Sequence, residues 1–405
     1  MVSVTETSTA SEETVAGTAR FPQLPSVPRA RYLDFDFYRL EIEHIFKKKW
    51  LLVGHTSEYI QAGSYRLLDV PFAPVVVLRD KEGALRAFLN SCQHRGATVL
   101  REKQGCAKFL SCQYHGWTYD LTGQLVSVTS PQNFPGLKVG EHSLVRLRCE
   151  LWGELVFINF DPHAEPLMDY LAPCVKRFQD IPELSTRIGG QLTFEVACNW
   201  KAMVDAFYES YHLPYIHGTS IGGLIEADQI IYELYSNGHG CKVTPYARDV
   251  KKDKMSVVAS NVLPRLRDRN GRPVFDDSSH SAVCMFPNVD LVLQPRGGIG
   301  LLNIWPIGID RCRLDYTFLC EDWGSGPKPD YFGAFFIEVK KLLDEDMANM
   351  CSIQHSLKAD PDKGVVLGSE EVLLYNFHAE IDRLIGSENI PESLRVPDAL
   401  REFVI

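Results

Sequence analysis

The sequence of 405 residues lacks any hydrophobic run that could cross a membrane. Its longest uninterrupted apolar stretch, residues 70–78, contains two prolines, whereas a spanning helix needs about 20 apolar residues. The N-terminus has no basic segment followed by an apolar one, the pattern of secretory signals. Acidic residues outnumber basic ones by 52 to 42, so a broad surface for nucleic acid or anionic lipid is not expected. We therefore expect a cytoplasmic protein.

The sequence also lacks the even, regularly spaced cysteines of a disulfide framework. Its 11 cysteines are an odd number in a large chain without a secretion signal. Most stand among apolar neighbours and are expected to be small buried residues. Cys92 and Cys112 are the exceptions, because each is followed closely by a histidine.

The hydrophobic pattern divides the chain into four parts. A disordered tail rich in Ser, Thr and Glu is expected over residues 1–30, and an N-terminal helix packing on the catalytic domain over residues 31–50. Short β-rich runs separated by turn signals predict an antiparallel β domain over residues 51–162. Strands and long helices over residues 163–405 predict an α+β domain, with a charged, mobile loop at residues 247–280.

The first candidate site combines Cys92-x-His94 with Cys112-x-x-His115, separated by 17 residues. Each half offers one thiolate and one imidazole on a loop beside a short strand. Two thiolates and two imidazoles suit zinc or a 2Fe–2S cluster of Rieske type. Zinc sites usually group Cys with Cys and His with His, whereas each half here mixes the two, which favours the Rieske cluster.

The second candidate site lies in the segment from Asn199 to His217. Glu209 and His212 are three residues apart and are predicted to share a helical face. Pro214 disfavours helix at Leu213, so a break there would bring His217 round toward the same point. Two imidazoles and a carboxylate with open positions suit iron(II) and dioxygen.

These motifs resemble those of the Rieske non-haem iron oxygenases, at their catalytic alpha subunit. The similarity includes Arg95-Gly96 after the first pair and five residues around the second: Tyr114, Gly116, Trp117, Tyr119 and Gly123. The resemblance implies that Cys92 and Cys112 bind the buried iron of the cluster. It implies that His94 and His115 bind the iron nearer the surface.

The family's second motif is also present, beginning at Asn199-Trp200-Lys201. By the resemblance, His212 and His217 are ligands of a mononuclear iron, and Glu209 is a catalytic carboxylate that bridges to a cluster histidine of a neighbouring subunit. The third ligand is assigned to Asp346, which precedes Gln354 by eight residues as in the family pattern. Asp344 remains the alternative ligand.

Apolar residues near these ligands are expected to line a substrate pocket. Asp205, one helical turn before Glu209, is a second catalytic candidate that would either contact substrate or hold the bridging network. The candidate pocket residues are Met203, Ala206, Leu213, Ile216, Ile221, Phe335, Phe336, Val339 and Leu342.

The resemblance covers about residues 33–385 and implies a Rieske-type antiparallel β domain followed by a helix-grip domain, an antiparallel sheet over a long C-terminal helix. It implies an oxygenase that uses O2 and electrons from NAD(P)H, through a reductase with or without a ferredoxin. The reaction would hydroxylate or oxidatively dealkylate a small, largely apolar, aromatic substrate. A homotrimer or a larger ring of trimers is expected, with a small beta subunit possible. A zinc-stapled binding protein and a non-catalytic Rieske electron carrier remain as alternatives.

Overall fold

The computed structural model describes residues 21–184, 186–218, 220, 225–226, 229–246, 279–294 and 298–405. Residues 1–20 of the predicted tail, Ile221 and nearly all of the predicted loop at 247–280 lie outside the described residues. No helix in the described ranges has the length and hydropathy that crossing a membrane requires.

The N-terminal arm is packed against the second domain from Phe21 onward, so the predicted disorder is wrong for residues 21–30. Strand β1, Val27–Pro28, pairs antiparallel with Gly364–Val365, and the side chain of Val27 is completely buried. This apolar contact compensates for the entropy of ordering the segment. Helix α1, Phe35–Glu41, begins where the Asp34 carboxylate accepts a hydrogen bond from the N–H of Phe37, and it continues into a π-helical turn.

The first domain contains a seven-stranded antiparallel sheet and a three-stranded sheet. In the larger sheet the order is β2-β11-β10-β5-β4-β3-β6, and in the smaller it is β7-β8-β9. The loops with the two Cys/His pairs follow β5 and β7. The strands are β2 Leu51–His55, β3 Ser64–Val70, β4 Ala73–Arg79, β5 Leu85–Leu89, β6 Gln104–Cys106, β7 Leu110–Ser111, β8 Thr118–Tyr119, β9 Leu125–Ser127, β10 Arg146–Trp152 and β11 Leu155–Asn159.

The second domain is built on another seven-stranded antiparallel sheet, in the order β12-β18-β17-β16-β15-β14-β13. The three strands β13–β15 were not expected from the sequence. The strands of this domain are β12 Thr186–Val196, β13 Ile231–Leu234, β14 Gly240–Pro245, β15 Ser279–Met285, β16 Val289–Gln294, β17 Gly298–Gly308, β18 Arg311–Glu321 and the short β19 Gly364–Val365 that pairs with β1.

This sheet separates two hydrophobic cores, because alternate residues of each strand face opposite sides. On β16, Leu291 and Leu293 pack into one core, whereas Val292 packs against the other. The first core also contains residues of the two short helices α2 and α3. The second contains residues of α4, α6 and α7. The helices are α2 Leu167–Tyr170, α3 Ala172–Arg177, α4 Trp200–Tyr208, α5 Leu213–Ile216, α6 Asp330–Ala359 and α7 Val372–Ile385.

The predicted fold class is confirmed as α+β, with an antiparallel β domain followed by a sheet over a long C-terminal helix. Helix α6 has 30 residues, and its buried residues recur at helical spacing from Phe332 through Asp346 to Leu357. Most of this face is apolar, so the buried acid Asp346 is an exception that indicates a site rather than packing.

Candidate metal centres and active site

The two loops that carry Cys92 and Cys112 have the same backbone hydrogen bonds. The carbonyl of Cys92 accepts from the N–H of Gly96 at 2.9 Å, and that of Cys112 accepts from the N–H of Gly116 at 2.9 Å. The φ angles of these glycines are +78° and +70°, a region that residues with a Cβ rarely adopt. The repeated geometry gives the Cys and His of the two loops equivalent places at the ends of short strands.

The side chains of these loops converge. Cys92 and Cys112 are each 3% exposed, and the rings of His94 and His115 have centroids 4.7 Å apart. The Nδ1 atom of His94 is buried and has no hydrogen-bond partner within the described residues, while Trp117 stacks on the same ring. A buried imidazole nitrogen without a partner is costly unless it binds something, and a metal ion is the natural occupant.

A tyrosine on strand β8 contacts the first thiol. The hydroxyl of Tyr119 lies 3.3 Å from Sγ of Cys92 and accepts a hydrogen bond of 3.0 Å from the N–H of Gln93. Burial raises the pKa of the Cys92 thiol, although the hydrogen bond from Tyr119 opposes this effect. A bound cation favours the thiolate, which is the form of this sulfur that binds iron.

Helix α4 ends at Tyr208, so the prediction that Glu209 and His212 share a helical face is wrong. Glu209 adopts extended φ and ψ angles of −121° and 178°. Its carboxylate accepts hydrogen bonds from the N–H groups of Tyr211 and His212 and also contacts Nδ1 of His212. These local bonds replace the helical ones, and the pair meets across a tight turn.

His217 lies directly after the short helix α5, which begins at Leu213 with Pro214 in its first turn. Its Nε2 atom is 3.0 Å from Oδ1 of Asp346, and Nε2 of His212 is 3.7 Å from the same oxygen. One ligand atom from each of the three residues lies within 4.8 Å of the others. The break in the helix therefore brings the two imidazoles to the buried carboxylate of α6.

Helix α6 places Asp346 at this point and turns Asp344 away. Two residues along a helix are about 200° apart around its axis. The side chain of Asp344 is 51% exposed and pairs with Lys340 at 2.7 Å, whereas Asp346 is buried. Of the two acids left open by the sequence, only Asp346 lies beside the histidines.

Two further contacts of α6 support the site. Oε2 of Glu345 lies 2.6 Å from Nδ1 of His217 and was not identified from the sequence. Burial lowers the pKa of His217, but hydrogen bonds and charge from Asp346 and Glu345 outweigh it and raise the pKa above its usual value. Gln354 accepts a hydrogen bond of 2.8 Å from the N–H of Asn199, and so orients the start of α4.

Two family models match the chain. A Rieske [2Fe-2S] domain matches residues 49–142, and the catalytic domain of the ring hydroxylating alpha subunit matches residues 184–387. The chain belongs to the ring hydroxylating alpha subunit family. The resemblance stated from the two metal motifs is thereby confirmed, and the N-terminal sheet is a Rieske domain.

Curated relatives of this alpha subunit act on different substrates. The chlorobenzene dioxygenase subunit alpha of Cupriavidus sp. (strain PS12) is 36% identical over 187 residues, which are 45% of this chain and 42% of the relative. The biphenyl 2,3-dioxygenase subunit alpha of Rhodococcus jostii (strain RHA1) is 38% identical over 45% of this chain and 41% of the relative. The matches thus span less than half the length of these relatives. The carnitine monooxygenase oxygenase subunit of Escherichia coli (strain K12) is 29% identical over 52% of this chain and 57% of the relative.

Solved structures share the fold across nearly the whole chain. A quaternary ammonium Rieske monooxygenase aligns with a TM-score of 0.75 at 20% identity, covering 93% of this chain and 100% of that one. Naphthalene 1,2-dioxygenase from Rhodococcus sp., bound to indole, aligns with a TM-score of 0.74 at 23% identity, covering 90% and 95%. At these identities the likeness establishes the fold alone.

The residues of this alpha subunit fit both iron centres that its family implies. For a Rieske cluster, two buried sulfurs and two neighbouring imidazoles are present, one with an unpaired nitrogen. For a mononuclear iron, two imidazoles and one carboxylate offer ligand atoms that lie within 4.8 Å of one another.

A cavity of about 170 Å³ opens beside the histidines, between the sheet and helix α6. Leu213, Leu342, Phe335 and Val339 line it, as the sequence predicted. The described wall does not include four other predicted residues. Met203 is buried in the core behind the cavity, and Phe336 packs at the edge of the sheet, where a Cβ on Gly190 would lie 2.8 Å from its ring. The remaining two are Ala206 and Ile216.

Asp205 does not line this cavity either. Its carboxylate accepts a hydrogen bond of 2.6 Å from the hydroxyl of Tyr32 and lies 3.2 Å from Nε2 of His378. Two roles were considered for Asp205, contact with substrate and a place in a hydrogen-bond network. Its contacts with Tyr32 and His378 favour the network.

Proposed function

We propose that the chain is the oxygenase component of a Rieske non-haem iron system. The observation that carries the proposal is the meeting of His212, His217 and Asp346 in the wall of a mostly apolar cavity. A mononuclear iron bound there would activate O2, and the Rieske cluster would supply the electrons one at a time. The chain's part is to hold the imidazoles, exclude water and position the substrate.

Each residue around the iron site has a distinct task in this proposal. Glu345 accepts the Nδ1 proton of His217, so that Nε2 is presented toward the metal as a neutral donor. Glu209 does the same for His212. Asp346 supplies the negative charge of the ligand set, and the apolar wall leaves room for a small substrate beside it.

The reaction would hydroxylate or oxidatively dealkylate a small, largely apolar, aromatic compound. Electrons would come from NAD(P)H through a reductase, with or without a ferredoxin, in the cytoplasm. Relatives named for chlorobenzene, biphenyl and carnitine support the oxygenase class without selecting one substrate. A panel of single-ring compounds, with purified chain, a generic reductase and 18O2, tests the proposal by incorporation of label into product.

Assembly as a homotrimer, or a ring built from trimers, is part of the same proposal. A carboxylate has about four acceptor positions. In Glu209 three of them serve Tyr211 and His212, which leaves capacity for a cluster histidine of a neighbouring subunit. Tyr211 and Tyr215, 60% and 78% exposed, form an aromatic pair on the adjacent surface, as subunit contacts often do. Whether a small beta subunit joins such a trimer would be tested by co-purification.

Metal content separates this proposal from the alternatives. An oxygenase contains about three irons per chain, a Rieske electron carrier about two, and a zinc-stapled protein none. Colourless protein with bound zinc would contradict the proposal. Two irons with a Rieske spectrum and no labelled product would favour the electron carrier.

A further inference from the structure

The floor of the cavity is one face of the second sheet, and its chemistry is uneven. The middle of the floor has no polar side chain, because three neighbouring strands place small or apolar residues side by side there: Ala282 on β15, Val292 on β16 and Gly300 on β17. Two residues before Val292, on the same face of β16, stands Asp290, which also lines the cavity and is 2% exposed. Lys242 and His280 also line this floor, and Asp290 is the acid among its described residues. A buried acid calls for a partner.

Within the described residues, Asp290 has only a weak partner. The thiol of Cys284, directly across the strand pair, lies 3.8 Å from Oδ1, and a thiol is a poor hydrogen-bond donor. Lys242, on the next strand, attracts the carboxylate but donates hydrogen bonds to the carbonyls of Phe207 and Glu209, at 2.5 and 2.8 Å. Its ammonium group therefore holds the end of α4 above the sheet rather than pairing with Asp290.

A buried carboxylate without a strong donor is unfavourable. Burial accordingly raises the pKa of Asp290 to about 6, although the charge of Lys242 limits the rise. A donor brought by a bound molecule would supply the missing hydrogen bond. Because the acid and the two histidines line one cavity, a molecule that binds Asp290 would share that cavity with the iron site.

The size of the cavity restricts that molecule. An engineered apolar cavity of about 150 Å³ binds benzene. The cavity here, about 170 Å³, thus accommodates one aromatic ring with a small substituent. Gly300 contributes to this depth, because a Cβ there would lie 3.0 Å from the ring of Tyr316.

We propose that Asp290 selects the substrate, its carboxylate accepting a hydrogen bond from an N–H or O–H group on a single-ring, otherwise apolar compound. The donor group binds at Asp290, and the ring extends toward His212, His217 and Asp346. This inference rests on the proposed function, since it takes the cavity as the substrate site.

Phenol, aniline and toluene test the proposal, because they differ in one substituent of similar size. Their affinities for the purified, iron-loaded chain are measured by calorimetry at pH 8. Replacing Asp290 by Leu should weaken the binding of phenol or aniline, relative to that of toluene, by about tenfold or more. This is the usual effect of losing a hydrogen bond to a charged group. Asp290→Asn keeps the shape and removes the charge, and should give a smaller change in the same direction. The Asn variant carries the comparison if the Leu variant does not fold.

Val292→Ala is the matched control, since it enlarges the same floor without altering its polarity. It should change the three affinities together and leave their ratios within about twofold, because no hydrogen bond is lost. Phenol and aniline together identify the donor group of the substrate. A larger loss of affinity for aniline indicates an N–H donor, and a larger loss for phenol indicates an O–H donor. Ratios that are unaltered by both Asp290 variants, or binding of none of the three probes, would overturn the inference.

Product formation is measured separately with a reductase. Oxidation of these compounds with an unaltered ratio would leave the oxygenase proposal standing and refute the role of Asp290. A ratio that depends on Asp290, without oxidation of any compound, would support the binding role and count against the oxygenase proposal.

Discussion

The hydroxyl of Tyr32 donates a hydrogen bond of 2.6 Å to the carboxylate of Asp205, although 173 residues separate them. The contact joins the N-terminal arm to helix α4, whose end carries Glu209. Burial and the charge of Asp205 raise the pKa of Tyr32 well above its usual value, so the phenol stays a donor. Nε2 of His378, from α7, lies 3.0 Å from the same hydroxyl. Three distant segments therefore meet behind the iron site.

Replacing Tyr32 by Phe should destabilise the protein by about 1–3 kcal/mol, because Asp205 loses a buried donor. The apparent melting temperature measures this effect. Tyr38→Phe is a suitable control: its hydroxyl bonds one carbonyl, that of Pro306, at 3.2 Å and is half-buried. Equal melting temperatures for the two variants would contradict a special role for the Tyr32 contact.

The sequence predicted the residues of the two candidate metal centres better than the parts of the fold that frame them. Cys92, His94, Cys112 and His115 are local pairs whose spacing alone restricts their chemistry. The proposed ligand role of Asp346 depended on resemblance to the family. Asp344 and Asp346 differ only in their position around the helix, and no local sequence pattern distinguishes them.

The missed features depend on tertiary pairing. Strands β13–β15 are short and flank the charged segment 247–278, so their pattern was weak. Lys242 and Asp290 are single charged residues within strands, and only the register of the sheet puts them on the face below the cavity. The sequence placed the end of α4 too late in the chain. The Glu209 carboxylate takes hydrogen bonds from backbone N–H groups that would otherwise continue the helix, and residue spacing does not reveal this competition.

Cys92→Ser or His115→Ala should abolish the visible absorption of the cluster, since each removes one of its four proposed ligands. Much of the chain should remain folded, because Cys92 and Cys112 pack in a hydrophobic cluster separate from the two cores on either side of the second sheet. Absorption spectra and iron analysis measure the result. Cys106→Ser is the control, as this thiol is exposed and lies outside both loops. Colour that survives both ligand changes would refute the cluster assignment.

Asp346→Ala should reduce iron from about three to about two per chain and stop product formation, with the red-brown colour intact. His212→Ala should do the same. Asp344 is on the same helix, but its side chain faces solvent and pairs with Lys340. The Asp344→Ala variant should therefore retain all the iron. Iron loss in the Asp344 variant, or loss of colour in the Asp346 variant, would contradict the placement of the two sites.

Glu209→Gln should retain three irons and the trimer, yet lose nearly all turnover. The amide can fill the same space but cannot offer charged hydrogen bonds to both its own His212 and a neighbour's cluster histidine. Light scattering tests the assembly, and a fully active monomer would refute it. Hybrid trimers that combine a Cys92→Ser chain with an Asp346→Ala chain should recover part of the activity. Absence of recovery in confirmed hybrids would favour electron transfer within one chain.

Asp290 should make the protein less stable as pH rises. Its pKa is raised by burial from 3.8 to about 6, so the folded state disfavours the ionised form. The destabilisation is absent below pH 4, where the acid is protonated in both states, and complete above pH 6. Asp290→Asn removes it, so the melting temperature of the variant relative to the native chain should rise between pH 4.5 and pH 8. The upper limit is about 3 kcal/mol.

Comparing the two pH values cancels the constant effect of the amide. His280, whose pKa burial and Lys242 lower to about 4, is present in both proteins. Burial and the charge of Asp290 raise the pKa of Cys284 well above its usual value, so this thiol stays protonated in the folded protein at both pH values. Asp315→Asn is the control, because this acid is only partly buried and already pairs with Arg313 at 3.0 Å. A stability difference for Asp290→Asn that is the same at both pH values would mean that the carboxylate is not disfavoured in the folded state. Asp290 would then not lack a hydrogen-bond donor, and the proposed role of a substrate as that donor would lose its support.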